Sequence, residues 1–351
     1  TVGPVAGGST ARLQLHISQR RRFLESPLQG AAKARLRMRE IEAEDPINVE
    51  REPFDVDHLN RAIILRDVFN SALVEGLGEV DLERAYAERV RRASRKGALP
   101  VGPFLAASAE VHRRILDRWR SNLALLGVEV DRPMGRYRLG RSQGTASESL
   151  PALVLQVDLP TDRGVEPHRV EIHGATEAVA DGGSEIVTLG MSTKAKPRYF
   201  LRGLLSHVVL TAAGQLDGET ERRLIVDPNK RHTGRTKKED CFRTLPSLQQ
   251  GEAVAWLGGL VEELFTGVHD YLMPIEMVDK YVGADDGPGG PEAFARLVRR
   301  DLNGWRTSGS YKYGPIDDIR AFEPPADPDE LIARRFGVFY GGSKIGSDTG
   351  V

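Results

Sequence analysis

The chain reads as an α/β protein, with a helical N-terminal region over residues 1–127 leading into a mixed β-sheet flanked by helices over residues 128–351. Three observations carry that expectation. Apolar residues recur at helical spacing through most of the first 126 positions. At Gly127 the pattern changes to short β-prone runs bounded by Gly, Pro and Asp, and long amphipathic segments then return behind those runs.

The elements follow in order. Residues 1–10 are Gly-rich and read as a flexible lead. From Leu15, the spacing of Ile17, Phe23, Leu24 and Leu28 predicts a helix, broken at Ser26-Pro27 and resumed through Leu36. After an acidic loop, Val56 to Leu73 is helical, with Leu59, Ile63, Val68 and Leu73 placed on one buried face. A charged helix covers Leu82 to Arg95. The turn cluster Gly97 to Pro103 precedes another, Ala106 to Leu126, with Val111, Ile115, Trp119 and Leu123 in register. Val128–Val130, Tyr137–Leu139, Leu153–Val157, Val170–Ile172 and Glu185–Leu189 then read as a sheet of about four or five strands. Tyr199 to Ala213 is an apolar helix expected to pack on it. Arg222–Val226 and Cys241–Leu245 read as paired strands flanking a polar loop, and Glu252–Phe265, Pro291–Leu302 and Pro328–Phe336 as helices.

With 40% hydrophobic and 28% charged residues among 351, the composition is that of an ordinary globular protein with enough chain for a sizeable core. No apolar run approaches the roughly 20 residues of a membrane span, and no signal-peptide core is present at the start, so no membrane partner is expected. The single cysteine, Cys241, excludes a disulfide framework and a cysteine-rich zinc site, and favours a reducing, cytoplasmic setting. It has no sequence-local partner that would make it a nucleophile. The net charge of −1 conceals segmentation: residues 194–238 carry 11 Lys/Arg against 4 Asp/Glu, whereas residues 239–351 carry 11 against 19. A near-neutral protein can therefore present a locally positive face, as a phosphate-backbone binder requires.

The run Arg169 to Val179, the Asp181-Gly-Gly turn, the strand Glu185 to Met191 and the helix starting near Pro197 follow the order found in metal-dependent nucleases of the restriction-endonuclease-like fold. In those enzymes the first strand ends in an acid and the second carries an acid, one spacer and a lysine. Aligned by glycine and turn, this chain has Thr188 at the acid and Gly190 at the lysine position. Phosphodiester hydrolysis needs convergent carboxylates to hold Mg²⁺ and a cation to stabilise developing charge, and neither residue supplies one. Asp158, Glu171, Glu177 and Glu185 remain nearby, most simply as a solvated sheet face beside turns. A shifted set of Glu171, Glu185 and Lys194 would give an active Mg²⁺-dependent exonuclease, but Glu185 and Lys194 are far beyond the usual spacing. No catalytic residue, no metal and no cofactor is therefore expected.

Binding residues are expected in the basic loop, where Lys230, Arg231, Arg235, Lys237 and Lys238 crowd nine positions together with His232 and Gly234. Each contact with a phosphate would give salt-sensitive, sequence-independent affinity. Lys194, Lys196, Arg198 and also Arg202, at the start of the apolar helix, form a second patch, where a helix N-terminus itself favours phosphate. Arg20, Arg21 and Arg22 are weaker candidates, because at least one must face the core. His112 most simply packs or lies at the surface, His207 and His269 lack ligand-like partners, and Trp119, Trp256 and Trp305 read as core or interface anchors.

The order of several short motifs resembles the RecC family, the gamma subunit of exodeoxyribonuclease V. They are Ile17 to Leu28, Arg35-Leu36, Glu52 to Leu59, Leu65-Arg66 and Gly97 to Phe104, then Gly174, the Tyr199-to-Gly214 helix and Glu262 to Pro274. The resemblance implies the C-terminal part of such a subunit, a RecB-like nuclease domain whose active site is lost. It implies RecB-like and RecD-like partner subunits and DNA, as a duplex end or single strand, in double-strand-break repair. The chain has no Gly-x-x-x-x-Gly-Lys-Ser/Thr phosphate loop and is too short for the family's helicase-like portion. The expected role is thus a DNA-contacting, partner-docking domain without catalysis; the alternatives are an active exonuclease and a pure protein-interaction module.

Overall fold

The fold was analysed in a computed structural model that describes residues 12–36, 56–78, 80–95, 99–100, 102–141, 146–161, 164–230, 232, 238–267, 275–283, 289–308 and 326–341. Its elements are β1 (Arg12–His16), α1 (Ile17–Glu25), α2 (Pro27–Arg35), α3 (His58–Glu75), α4 (Leu82–Ser94) and α5 (Gly102–Leu125). Then follow β2 (Tyr137–Leu139), β3 (Glu148–Leu150), β4 (Leu153–Thr161), β5 (Gly164–Ala175), β6 (Ala178–Val179) and β7 (Glu185–Leu189). The remainder is α6 (Pro197–Ala212), β8 (Arg222–Asp227), β9 (Phe242–Leu245), α7 (Gln250–Thr266), α8 (Ile275–Val282), α9 (Gly290–Ser308) and α10 (Pro328–Tyr340).

The α/β class holds, but the strands form two sheets where one was expected. The first runs β1-β5-β2-β3, with β4 folded back on β5 as a long antiparallel hairpin. The second runs β6-β7-β8-β9. They are joined by chain continuity from β5 into β6 and by a bridge between Gly135 and Val179. Within the second sheet, β7 and β8 are parallel and connected through α6, while β8 and β9 form the antiparallel pair anticipated from their flanking loop.

The region before Gly127 is not purely helical. Residues 12–16 form β1, which lies parallel to β5 with Leu13 opposite Val170 and Leu15 opposite Ile172. The switch to helix is abrupt because His16 caps α1: its ring accepts from the Ser18 amide, and the Gln19 side chain returns to the His16 amide. Gly30 lets α2 close on α1, since a Cβ there would lie 2.5 Å from the Cα of Phe23. Val128–Val130, expected as a strand, is a turn that seats Val128 and Val130 in the core.

Two apolar cores result, one on each face of the second sheet. On one side, α1, α6 and α7 bury Phe23, Phe200, Leu204, Val208 and Leu257 against Ile186, Leu224 and Val226. On the other, α3 and α5 bury Phe69, Leu73, Ile115, Trp119 and Leu123 against Val187, Leu189 and Ile225. Alternation along β7 and β8 divides these residues between the faces, as the pleat requires. The buried stripe of α3 is Leu65, Val68, Phe69, Ala72 and Leu73, whereas Leu59 and Ile63 are 69% and 48% exposed. Ala62, Ile64 and Leu65 in the same turns are buried, so the helix turns Leu59 and Ile63 away from the core and the apolar spacing chose the wrong face there. Gly203 admits α6 to the sheet: a Cβ there would sit 3.1 Å from the Leu224 side chain.

Candidate nucleic-acid interface

The parallel pair β7 and β8 ends at one place, and open α/β sheets bind ligands outside such carboxyl ends. The two connections leaving it are tied together: the Gly190 amide donates to the Asp227 carbonyl at 2.8 Å, and the Asn229 amide to the Ser192 carbonyl at 2.8 Å. Helix α5 clamps the second connection. Asn122 donates to the Asp227 carboxyl at 2.8 Å and to the Lys230 carbonyl at 2.9 Å, and its own oxygen accepts from the His232 amide. Arg118 holds the Asn229 side chain at 2.6 Å. Asn229, Lys230 and His232, at the base of the basic loop, are thus tied to α5.

A cleft of about 580 Å³ opens between these connections, lined among others by Thr193, Lys194, Pro197, Lys230, His232 and Cys241. Lys194 and Lys230, drawn from the two basic segments, thus line one cleft. Both are exposed, as is Lys196 immediately before α6. Pro197 opens that helix, no side chain caps it, and its first amides offer positive charge beside the lysines. Arg198 is engaged by Glu276 and Arg243 by Asp279, which reduces the positive charge on that flank, and Glu239 and Asp240 form an acidic rim. Arg231, Arg235 and Lys237 lie outside the described residues; Lys238 begins the 3₁₀ turn Lys238–Cys241, its side chain likewise outside them.

Below the cleft, the strand pairing tests the nuclease-like grammar. Ala178 pairs with Val187 and Val179 with Ile186, so one step further Glu177 comes opposite Thr188. Thr188 shares the face of Ile186 beneath α6, is 1% exposed, and its hydroxyl has no hydrogen-bond partner among the described residues. Gly190 is tightly placed: a Cβ would lie 3.2 Å from the Asp227 carbonyl, and its own carbonyl accepts from the Trp119 indole at 3.3 Å. The acids are not the solvated face that the sequence pattern implied for all of them. Glu171 is buried under Arg12 and Arg169, and Glu177, 8% exposed, is held by Arg202 at 2.6 Å. Glu171 and Glu185 belong to different sheets, and Glu185 is paired with Arg223. Among the described residues, no group of three His, Cys, Asp or Glu side chains gathers to hold a metal.

Guanidinium groups surround Glu177. Arg202 projects from α6, Arg66 from α3 donates through Nε to the Leu189 carbonyl at 3.1 Å, and Arg136 donates through Nε to the Thr176 carbonyl at 3.0 Å. Arg21 of α1 is close enough to interact with Glu177 and Arg202 electrostatically. Burial, reinforced by Arg202, lowers the pKa of Arg66 to about 10. No sequence spacing announces this group, because its members come from four separate segments.

Of the remaining candidates, His269 and the Trp305 side chain lie outside the described residues, and the following are structural. His112 is buried and its Nδ1 lies 2.8 Å from the Tyr86 hydroxyl; His207 is buried within α6. Cys241 is buried 4.0 Å from His232 Nε2, and burial raises its thiol pKa to about 11. Trp119 is a core anchor, packed edge-on against Phe69 with centroids 5.6 Å apart. No helix among the described residues is long and apolar enough to cross a membrane. A protein-family model described as the RecC C-terminal domain matches residues 13–275. A search of curated proteins finds no match.

Proposed function

We propose, for a chain that belongs to the RecC C-terminal domain family, a DNA-contacting and partner-docking role without catalysis in a RecBCD-type helicase–nuclease. Family membership supports the subunit role. The observation that carries DNA contact is the convergence of Lys194 and Lys230 on one cleft, at the carboxyl ends of β7 and β8 and beside the uncapped start of α6. Lysines on two connections clamped to each other and to α5 can follow a phosphate backbone at little ordering cost. Lys196 extends the same basic surface, and Arg198 beside it is engaged by Glu276; Arg231, Arg235, Lys237 and the Lys238 side chain, outside the described residues, enter this reading from their charge clustering in the sequence alone.

The non-catalytic part of the reading rests on Thr188 and Gly190, which bring neither carboxylate nor cation to the position opposite Glu177. Docking of RecB-like and RecD-like chains, in a reducing cytoplasm, belongs to the same reading. So does a division near residue 127, with the first part leading into the nuclease-like part. Incubating the chain with linear DNA and Mg²⁺ or Mn²⁺ tests the absence of catalysis: the DNA stays intact under this reading, and stoichiometry-exceeding cleavage by the purified chain contradicts it.

A further inference from the structure

The arginines around Glu177 exceed what that carboxylate requires. Arg202 engages it, with Nε at 2.9 Å and a terminal nitrogen at 2.6 Å from the same carboxylate oxygen. Arg66 and Arg136 nevertheless converge there, oriented by Nε bonds to the carbonyls of Leu189 in β7 and Thr176 just after β5; Arg136 also faces Asp67, and Arg21 closes the group from α1 beside Glu25. The two terminal nitrogens of Arg66 make no hydrogen bond among the described residues and are not enclosed. Like charges gathered in a half-buried site repel one another unless an anion joins them. A fixed guanidinium fork with open donors matches the geometry of phosphate oxygens.

The location narrows the anion. Under the nuclease-like alignment of Thr188 and Gly190 made from the sequence, the group lies beside the position at which a metal-dependent nuclease would hold the phosphate it cuts, one residue beyond the Ala178–Val187 pair. We infer that Arg66, with Arg21 and Arg136, binds one phosphodiester of a DNA strand directly, so that guanidinium groups replace the metal and the phosphate is held without being cut. This inference rests on the DNA-contacting reading above and adds a second anchoring point to the lysine cleft. Glu177 then tunes the site, its negative charge limiting the affinity for phosphate while orienting Arg202.

The test uses the full chain and a fluorescently labelled single-stranded oligonucleotide, titrated at several salt concentrations, with thermal unfolding of each variant. Arg66→Gln is expected to weaken binding several-fold and to reduce the magnitude of the log–log salt slope by about 0.7, the loss of one phosphate contact on a single strand. Glu177→Gln is expected to strengthen binding several-fold, a gain that a merely structural role for the group would not produce. Should Glu177→Gln fail to fold, Arg66→Lys replaces it, with the salt slope of the unmodified chain and an intermediate affinity expected.

Unchanged affinity in folded Arg66→Gln overturns the phosphate site and leaves DNA contact through the lysines standing. No affinity of the unmodified chain for DNA at low salt overturns the broader reading and this inference with it. Two further arms distinguish other anions. Inorganic phosphate displacing the oligonucleotide at equal phosphate concentration, or a glutamate-rich peptide binding in preference to DNA and losing that binding in Arg66→Gln, would each overturn assignment to a strand.

Discussion

The carboxylate of Glu177 lies 2.6 Å from the guanidinium of Arg202, and extending the Ala178–Val187 pair by one residue brings Glu177 opposite Thr188. The acid closest to the expected nuclease locus is thus engaged by a cation from the helix covering it. Removing Arg202 withdraws the cation that hydrogen-bonds this enclosed carboxylate and leaves it to the more distant Arg66, Arg136 and Arg21, a loss typically costing up to about 3–5 kcal/mol. Arg202→Met is therefore expected to lower the unfolding free energy by an amount near that range, measured by urea denaturation. A change below about 1 kcal/mol, the level of an exposed ion pair, would contradict the account.

The same argument applies to Glu263 and Arg335, a buried pair at 2.5 Å joining α7 to α10, with Arg335 stacked over Phe23. Glu263→Ala is expected to cost about 3–5 kcal/mol, whereas the double change Glu263→Leu with Arg335→Met should recover much of it. The double-mutant cycle reads the coupling, and additive effects would show that the pair is not coupled.

Asp227 supplies a pH-dependent signature. Burial pushes its carboxyl well above the usual range, and Asn122 only partly offsets this. The folded chain therefore holds this proton more tightly than the unfolded one, so its contribution to stability is lost as pH rises from about 4 through the raised folded value. Asp227→Asn is expected to flatten that part of the stability–pH curve and to raise stability at neutral pH. Unfolding midpoints across pH check this, and parallel curves for the two proteins would contradict it.

Trp119 joins the two halves of the cleft region, because its ring fills the α3–α5 core while its indole N–H holds Gly190. Trp119→Ala is expected to cost about 3–5 kcal/mol in chemical denaturation. Trp119→Phe should retain most of the packing and lose mainly the hydrogen bond.

Cys241 is expected to resist alkylation at pH 8 in the folded chain and to react readily once unfolded, because burial raises its thiol pKa to about 11. Iodoacetamide labelling followed by mass measurement distinguishes these states. Rapid labelling of the native chain would show that this end of the cleft opens.

The parts legible from sequence were those set by local periodicity or composition. Helices α6 and α7 and the β8–β9 pair follow from apolar spacing and a polar intervening loop, and Lys194 and Lys230 from charge clustering. What escaped depends on contacts distant in the chain. Strand β1 has five residues and finds its partner β5 more than 150 positions away, so nothing beside it signals a sheet. Division into two sheets arises because β5 continues into β6 while, among the described residues, a single isolated bridge from Gly135 to Val179 joins them. The burial of Glu177 was hidden because it depends on Arg202, Arg66 and Arg136, whose convergence has no sequence period.

The most direct test of the central claim is the salt dependence of forked-duplex binding, comparing the unmodified chain with one in which Lys194, Lys196, Lys230, Arg231, Arg235, Lys237 and Lys238 are alanine. The account predicts measurable binding at low salt, a negative log–log slope of about 0.9 per neutralised phosphate, and a large loss of both affinity and slope in the variant. Binding by a folded variant with the same affinity and slope as the unmodified chain would contradict it.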